Sequence, residues 1–221
     1  MNAPPTQAWH SRSDALPVPN HHATHAGFTG ASGLLAAVSF LFGRDRAAHL
    51  AIEVSELRPG ERLVDVGCGP GVAVGRARAI GAEAIGVDPA AVMLRVARLR
   101  WRSDPRVHWR IGTAESLPVE DGWVQVVWSL ATVHHWVDVD AALAEARRVL
   151  TSGGRLLALE RRIHDTDARG TASHGWTPDQ SESFAEHCRR HGFARVTVSE
   201  HVGRSTLLSV VAHLPDTNRV E

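Results

Sequence analysis

Short apolar runs alternate with stretches of helical period through most of the chain. The runs at 62–66 (RLVDV), 83–88 (EAIGVD), 107–111 (VHWRI), 123–130 (WVQVVWSL) and 154–160 (GRLLALE) have strand length and strand composition. Between them, 71–79, 89–102 and 138–150 read as helices; in the last, Val139, Leu143, Ala146 and Leu150 make one apolar face. Strands and helices in alternation predict parallel strands joined by crossover helices. Several helix ends are marked. Asp88-Pro89 and Asp138 read as N-termini, Ser152-Gly153-Gly154 as a stop, and Thr177-Pro178-Asp179-Gln180 as a capping box opening a helix that ends at Gly192. Phe184 and Cys188 share a face of that helix, and His187 and His191 are assigned to its solvent side. Two last runs, 195–198 and 207–212, stand so close together that an antiparallel pair is expected.

Ahead of Gly60 the pattern is helical, at 32–42 and 45–57, and Arg58-Pro59-Gly60 breaks it. Residues 1–30 carry Pro4, Pro5, Pro17 and Pro19 without any hydrophobic period, so this segment is expected to be irregular and partly disordered, with a single domain over 31–221. No internal repeat is visible.

Composition narrows the possible chemistry. The chain has 221 residues, 43% hydrophobic and 22% charged, and a formal net charge of zero. That balance speaks for a globular domain and against nucleic acid as a partner. All 24 basic residues are arginine, and tyrosine is absent, which excludes a Schiff-base lysine, a phosphate-loop lysine and a phenolic base. Arg95, Arg98, Arg100, Arg102, Arg106 and Arg110 are read as a solvated face. Cys68 and Cys188 cannot build a disulfide framework, so a cytoplasmic setting is expected. The apolar stretch Gly33 to Phe42 falls short of the roughly 20 residues that span a bilayer, so no membrane association is expected.

The densest motif is VDVGCGPGV, Val64 to Val72, where a strand gives way to a helix. Glycines at such a junction leave the backbone open to close approach, and a helix N-terminus there favours a nucleotide-like ligand. The spacing is G-x-G-x-G with Val72 in sixth place, which disfavours a dinucleotide. VDVGCGPG resembles the first motif of the class I S-adenosylmethionine-dependent methyltransferases of the small-molecule, quinone-methylating kind. Ile85-Gly86-Val87-Asp88-Pro89, Gly112-Thr113-Ala114-Glu115-Ser116-Leu117-Pro118, Trp128 to Trp136 (WSLATVHHW) and Arg147 to Arg155 follow in that family's order.

The resemblance implies a Rossmann-like, doubly wound α/β sheet of seven strands, the last antiparallel, with helices on both faces and an N-terminal helical cap. It implies S-adenosyl-L-methionine as cofactor and a small-molecule methyl acceptor taking the group on oxygen, carbon or nitrogen. Gly67 and Gly69 would meet the methionine part, with Asp65 organising the loop. Asp88, followed by Pro89, would accept from the ribose hydroxyls, and Met93 would pack near adenine. Thr113 stands where the family often has aspartate, so adenine binding is expected either to be weaker or to rest on the backbone of Ala114 and on Glu115. Ser129 lies in the fourth-strand motif, and Gln125, also at a common aspartate position, is read as structural. Trp9, Phe28, Trp136 and Trp176 either line an acceptor cavity or belong to the core.

His134 and His135 follow strand four at the ligand-binding edge. Histidine titrates near neutral pH, so these two are the candidate bases for an acceptor that must lose a proton. No metal site is expected, either at His21, His22 and His25 or at His187 and His191. The chain is expected to act as a monomer or homodimer. Competing readings are a protein that binds the cofactor without catalysis and, less favoured, an NAD-dependent oxidoreductase, which would want the missing glycine and a tyrosine–lysine pair.

Overall fold

The structure, a computed structural model, describes residues 45–102, 104–164 and 174–217. The expected irregular segment and first helix, with Trp9, Phe28 and the histidines at 21, 22 and 25, lie outside the described residues. Helix α1 (Asp45–Val54) leads into β1 (Arg62–Val66), α2 (Val72–Ala79), β2 (Glu83–Asp88), α3 (Ala91–Arg100), β3 (Val107–Ile111) and β4 (Val124–Leu130). A single 3₁₀ turn, Val133–His135, then precedes α4 (Val139–Val149), β5 (Leu150–Arg161), α5 (Pro178–Arg190), β6 (Arg195–His201) and β7 (Leu207–His213).

The strands form one seven-stranded sheet of order β3-β2-β1-β4-β5-β7-β6. The first five are parallel, and β7 runs antiparallel to both β5 and β6. The expected terminal hairpin is therefore present, with its second strand inserted beside β5.

Both faces of the sheet are covered, which is why its central strands are apolar without alternation. Val64, Val127 and Leu156 point to one side, where Leu143, Ala146, Phe184 and Cys188 of α4 and α5 pack. Leu63, Val126 and Leu157 point to the other, onto Ala51, Val74 and Leu94 of α1, α2 and α3. Trp136 and Trp176, read as cavity lining or core, are core: both are buried and both pack against Phe184.

Glycines on the second face are shaped by tryptophans. A Cβ on Gly75 would overlap the Trp101 indole, and one on Gly86 would lie 2.5 Å from Trp109 Cζ3.

The marked helix ends hold in two of four places. Asp138 accepts from Ala141 N at 2.9 Å, and Thr177 and Gln180 make both bonds of the capping box. Asp88, by contrast, does not cap α3. Its N-cap is Ala90, and Asp88 Oδ1 accepts from Ala90 N at 2.8 Å in a turn ahead of the helix. Nor do Gly153 and Gly154 stop α4. That helix passes directly into β5 at Leu150, and the glycines sit where the β4–β5 register jumps from the Val124–Leu150 pair to the Val126–Arg155 pair.

The solvent assignment of His187 is also corrected. It is buried at 7% exposure, and its Nδ1 lies 2.9 Å from Asp140 Oδ1, with His191 Nε2 at 3.0 Å from the same oxygen. One carboxylate on α4 thus gathers two imidazoles from the end of α5. The hydrogen bond from His187 leads the causes that hold Asp140 below the usual carboxylate range. Gln125 is structural as read, its Oε1 accepting from Arg62 N at 2.8 Å. The six arginines are all exposed.

One ion pair ties the entry of the domain to its centre. Arg155 on β5 reaches Glu61 with two bonds of 2.9 and 2.7 Å and also donates to the carbonyls of Ser55 and Glu56. Burial alone would raise the Glu61 carboxyl, but the Arg155 bonds and the backbone N–H of Arg58 outweigh it and hold the group low. Arg155→Met should cost about 2–3 kcal/mol in urea unfolding at neutral pH, through stranded carbonyls and an unpaired carboxylate. Because the folded-state value lies below the ordinary 4.5, the deficit should be full above that pH and shrink as pH falls through the depressed value.

Candidate cofactor and acceptor site

Strand order reverses between β1 and β4, since β2 and β3 lie to one side and β4 and β5 to the other. At such a switch point the loops leaving the carboxyl ends of the strands diverge and open a crevice. The glycine loop leaves β1 there. Gly67 N and Cys68 N both donate to Val87 O, at 2.8 and 3.0 Å. Gly69 N donates to Asp88 Oδ2 at 2.8 Å, so the buried Asp88 carboxylate clamps the loop from the end of β2. Gly71, at φ 80°, is the N-cap of α2 and supplies no side-chain acceptor to the first turn.

Two of these glycines answer to the protein itself. A Cβ on Gly67, at φ +75°, would stand 2.5 Å from Thr132 Cγ2, and one on Gly71 would overlap the Trp109 ring. Thr132 Oγ1 is bonded to Val66 O at 2.9 Å and to Ser129 Oγ at 2.7 Å. Thr132 therefore fastens the loop after β4 onto the end of β1. Between Leu130 and Thr132 the chain turns through Ala131 at φ 58°, a left-handed conformation that costs a non-glycine residue about 1–2 kcal/mol.

The histidine pair stands just beyond. Glu160, with no solvent exposure, accepts from Val133 N at 2.8 Å through Oε1, and its Oε2 lies 2.8 Å from His134 Nδ1. With a carboxylate as partner, the proton of a neutral ring sits on Nδ1 and the lone pair on Nε2. His134 is only 8% exposed, and its Nε2 has no hydrogen-bond partner among the described residues. The rings of His135 and His174 lie 4.0 and 5.1 Å from that of His134.

The remaining expected residues divide. Asp65 and Gly67 line a cavity with Ala47, Cys68, Val72, Ala73, Leu130 and Ala131. Pro89 is exposed and Met93 buried, in the first turn of α3. Thr113 is exposed and bridges to Ser116, while Ala114 is core. Glu115 faces the backbone N–H groups of Val137 and Asp138, at 2.8 and 3.3 Å, and so anchors the approach to α4. Sequence reasoning passed over three residues here. Glu160 was detectable as an acid closing an apolar strand, Thr132 as a polar residue inside the fourth-strand motif, and His174 by no local signal.

A doubly wound sheet with an antiparallel seventh strand, a glycine loop at the switch point and an acid closing β2 make up the fold of the class I S-adenosylmethionine-dependent methyltransferases. Comparison with known proteins agrees. Residues 64–158 match the methyltransferase domain family. The chain is 34% identical over 138 residues to a malonyl-[acyl-carrier protein] O-methyltransferase of Serratia marcescens, covering 62% of this chain and 52% of that protein. It is 32% identical over 109 residues to the ubiquinone/menaquinone biosynthesis C-methyltransferase UbiE of Rubrivivax gelatinosus, covering 49% and 43%. In each case the match spans about half of the curated relative's own length. The fold also matches the crystal structure of the [4+2]-cyclase SpnF, with TM-score 0.72 and 18% identity over 90% of this chain and 97% of that one. Residues 64–158 thus carry the methyltransferase domain of that family.

Gly67→Ala should lower stability by about 2–3 kcal/mol in chemical denaturation, from left-handed strain and the clash with Thr132. Adding Thr132→Ala should restore part of that loss; a double variant as weak as the sum of its parts would separate the two residues.

Proposed function

We propose that this chain transfers a methyl group from S-adenosylmethionine to a small-molecule acceptor, with His134 as the residue that activates the acceptor. The observation that carries the reading is the convergence, at the single reversal point of the sheet, of the glycine loop, the Asp88 carboxylate and the His134–Glu160 pair. Asp88 accepts from Gly69 N and Ala90 N, which fixes its carboxylate at the end of β2, where it would meet the ribose hydroxyls. Asp65, Gly67 and Gly69 would hold the amino-acid end. Met93, Thr113, Ala114 and Glu115 would border adenine, with Glu115 acting through the loop it anchors, and Ser129 would act through Thr132.

The bound cofactor supplies a methyl group already activated on sulfonium sulfur. The protein's share is to orient the acceptor, exclude water and relieve the acceptor of a proton, and a fixed, buried imidazole lone pair suits the last of these. The two relatives carry the names of a C- and an O-methyltransferase, so similarity leaves the acceptor atom open. Net neutrality supports a small acceptor over a polyanion.

A second reading, binding of the cofactor without methyl transfer, draws on the cyclase with the same fold and on Thr113 at the adenine position. Calorimetry separates these readings from an oxidoreductase: S-adenosylhomocysteine should bind and NAD should not, and the reverse result would remove the assignment. Asp88→Ala should weaken S-adenosylhomocysteine by roughly 10- to 100-fold, the worth of hydrogen bonds to a charged acceptor. His134→Ala should leave that affinity within about threefold while reducing methyl transfer to a responsive acceptor by about 10²–10⁴.

A further inference from the structure

The histidine cluster contains more than one activating imidazole needs. His134 and His135 come from the turn after β4, and His174 comes from the approach to α5, far away in sequence. One ring nitrogen from each lies within 4.8 Å of the other two, and the His135 and His174 rings stand edge to face with centroids 5.3 Å apart. The most buried member is also the most constrained. Glu160 fixes the ring of His134 through Nδ1, and the opposite nitrogen, Nε2, is buried without a hydrogen-bond partner among the described residues. A buried polar atom left unsatisfied costs about 1–3 kcal/mol unless something meets it.

We propose that His134, His135 and His174 form a divalent metal site of the zinc-preferring kind, with Glu160 as the carboxylate that orients His134. The inference rests on the methyltransferase reading above and departs from the expectation that the chain has no metal site. Three neutral imidazoles with a fourth position left for water or substrate are a ligand set for a zinc-class ion, whereas magnesium and calcium prefer oxygen. A carboxylate bonded to the far nitrogen of a metal-binding histidine fixes its tautomer and raises its basicity. Tetrahedral ligation at about 2.0–2.1 Å brings the nitrogens somewhat closer together than the observed upper separation, a change within reach of side-chain rotation in the partly exposed His135 and His174.

The site lies two residues beyond Thr132, which is bonded to Val66 at the end of β1, so the ion would face the crevice from the acceptor side. Its ligand class follows: an acceptor with a hydroxyl that can occupy the open position. Coordinated there, the hydroxyl gives up its proton to water and keeps the electron pair on oxygen. On this arrangement His134 activates the acceptor through the ion.

The test uses the full-length, tag-free chain, dialysed against a chelator and titrated with zinc, with bound metal read by elemental analysis and by the visible absorption of a cobalt-substituted sample. One ion per chain is expected, with cobalt bands typical of four or five ligands. His174→Ala and His135→Ala should each weaken zinc by more than tenfold. Glu160→Gln, which keeps an acceptor for Val133 N but presents an amide to His134, should weaken it by about 10- to 100-fold. His21→Ala/His25→Ala should retain the ion, which excludes the N-terminal histidines as its source. Absence of stoichiometric zinc, zinc binding indifferent to His135→Ala and His174→Ala, or loss of zinc in the N-terminal variant would each overturn the proposal. Binding of S-adenosylhomocysteine, measured on the same samples, reports separately on the methyltransferase reading.

Discussion

A carboxylate with no access to water must find its donors inside the protein, and Glu160 at the end of β5 sets the geometry around it for that reason. Its donors are on the neighbouring strand's exit: the backbone N–H of Val133 and the ring of His134. Meeting them draws the chain after β4 into a 3₁₀ turn and through the left-handed Ala131. The same turn seats Thr132 on Val66 and against Gly67. One buried acid thereby couples the glycine loop after β1 to the histidines after β4, and the strain at Ala131 is offset by the bonds on either side of it.

A second buried acid works in the same way on the other side of the switch point. Asp88 holds the glycine loop by Gly69 N and the start of the next segment by Ala90 N. Loop and helix entry are thus set before any ligand arrives, which lowers the ordering cost of binding. The glycines of this region are partly an internal matter: Gly71, Gly75 and Gly86 make room for Trp109 and Trp101, which cover the loop, α2 and β2. Glycine at a strand–helix junction is therefore an ambiguous sign of a ligand, because an indole can demand the same absence of side chain.

The fold by itself does not decide the reaction, since a [4+2]-cyclase has the same architecture. The buried pair Glu160–His134 and the two imidazoles near it gather at the carboxyl edge of β4 and β5. Away from that edge, the Asp140 link to His187 and His191 joins α4 to α5, and the Arg155–Glu61 pair joins β5 to the segment entering β1. Both hold the frame of the sheet around the site.

Apolar runs of strand length between helical stretches were enough to read all seven strands, the parallel order of the first five and the closing antiparallel pair, because periodicity and burial are local consequences of composition. The loop VDVGCGPGV, Asp88, and the histidine pair were legible for the same reason: each motif is contiguous in the chain. The exact start of α3, the bulge at Gly153 and Gly154, and the burial of His187 were not, because each depends on a partner elsewhere: the Gly69 N–H that holds the Asp88 carboxylate, the register against β4, the carboxylate of Asp140. The sequence alone determined which side chains stand at the carboxyl edge of the sheet. Only the tertiary structure decided that Glu160 would meet His134 and that His174 would come beside it, since residues 26 and 40 positions away from His134 become neighbours only when β5 is laid against β4 and the chain returns into α5.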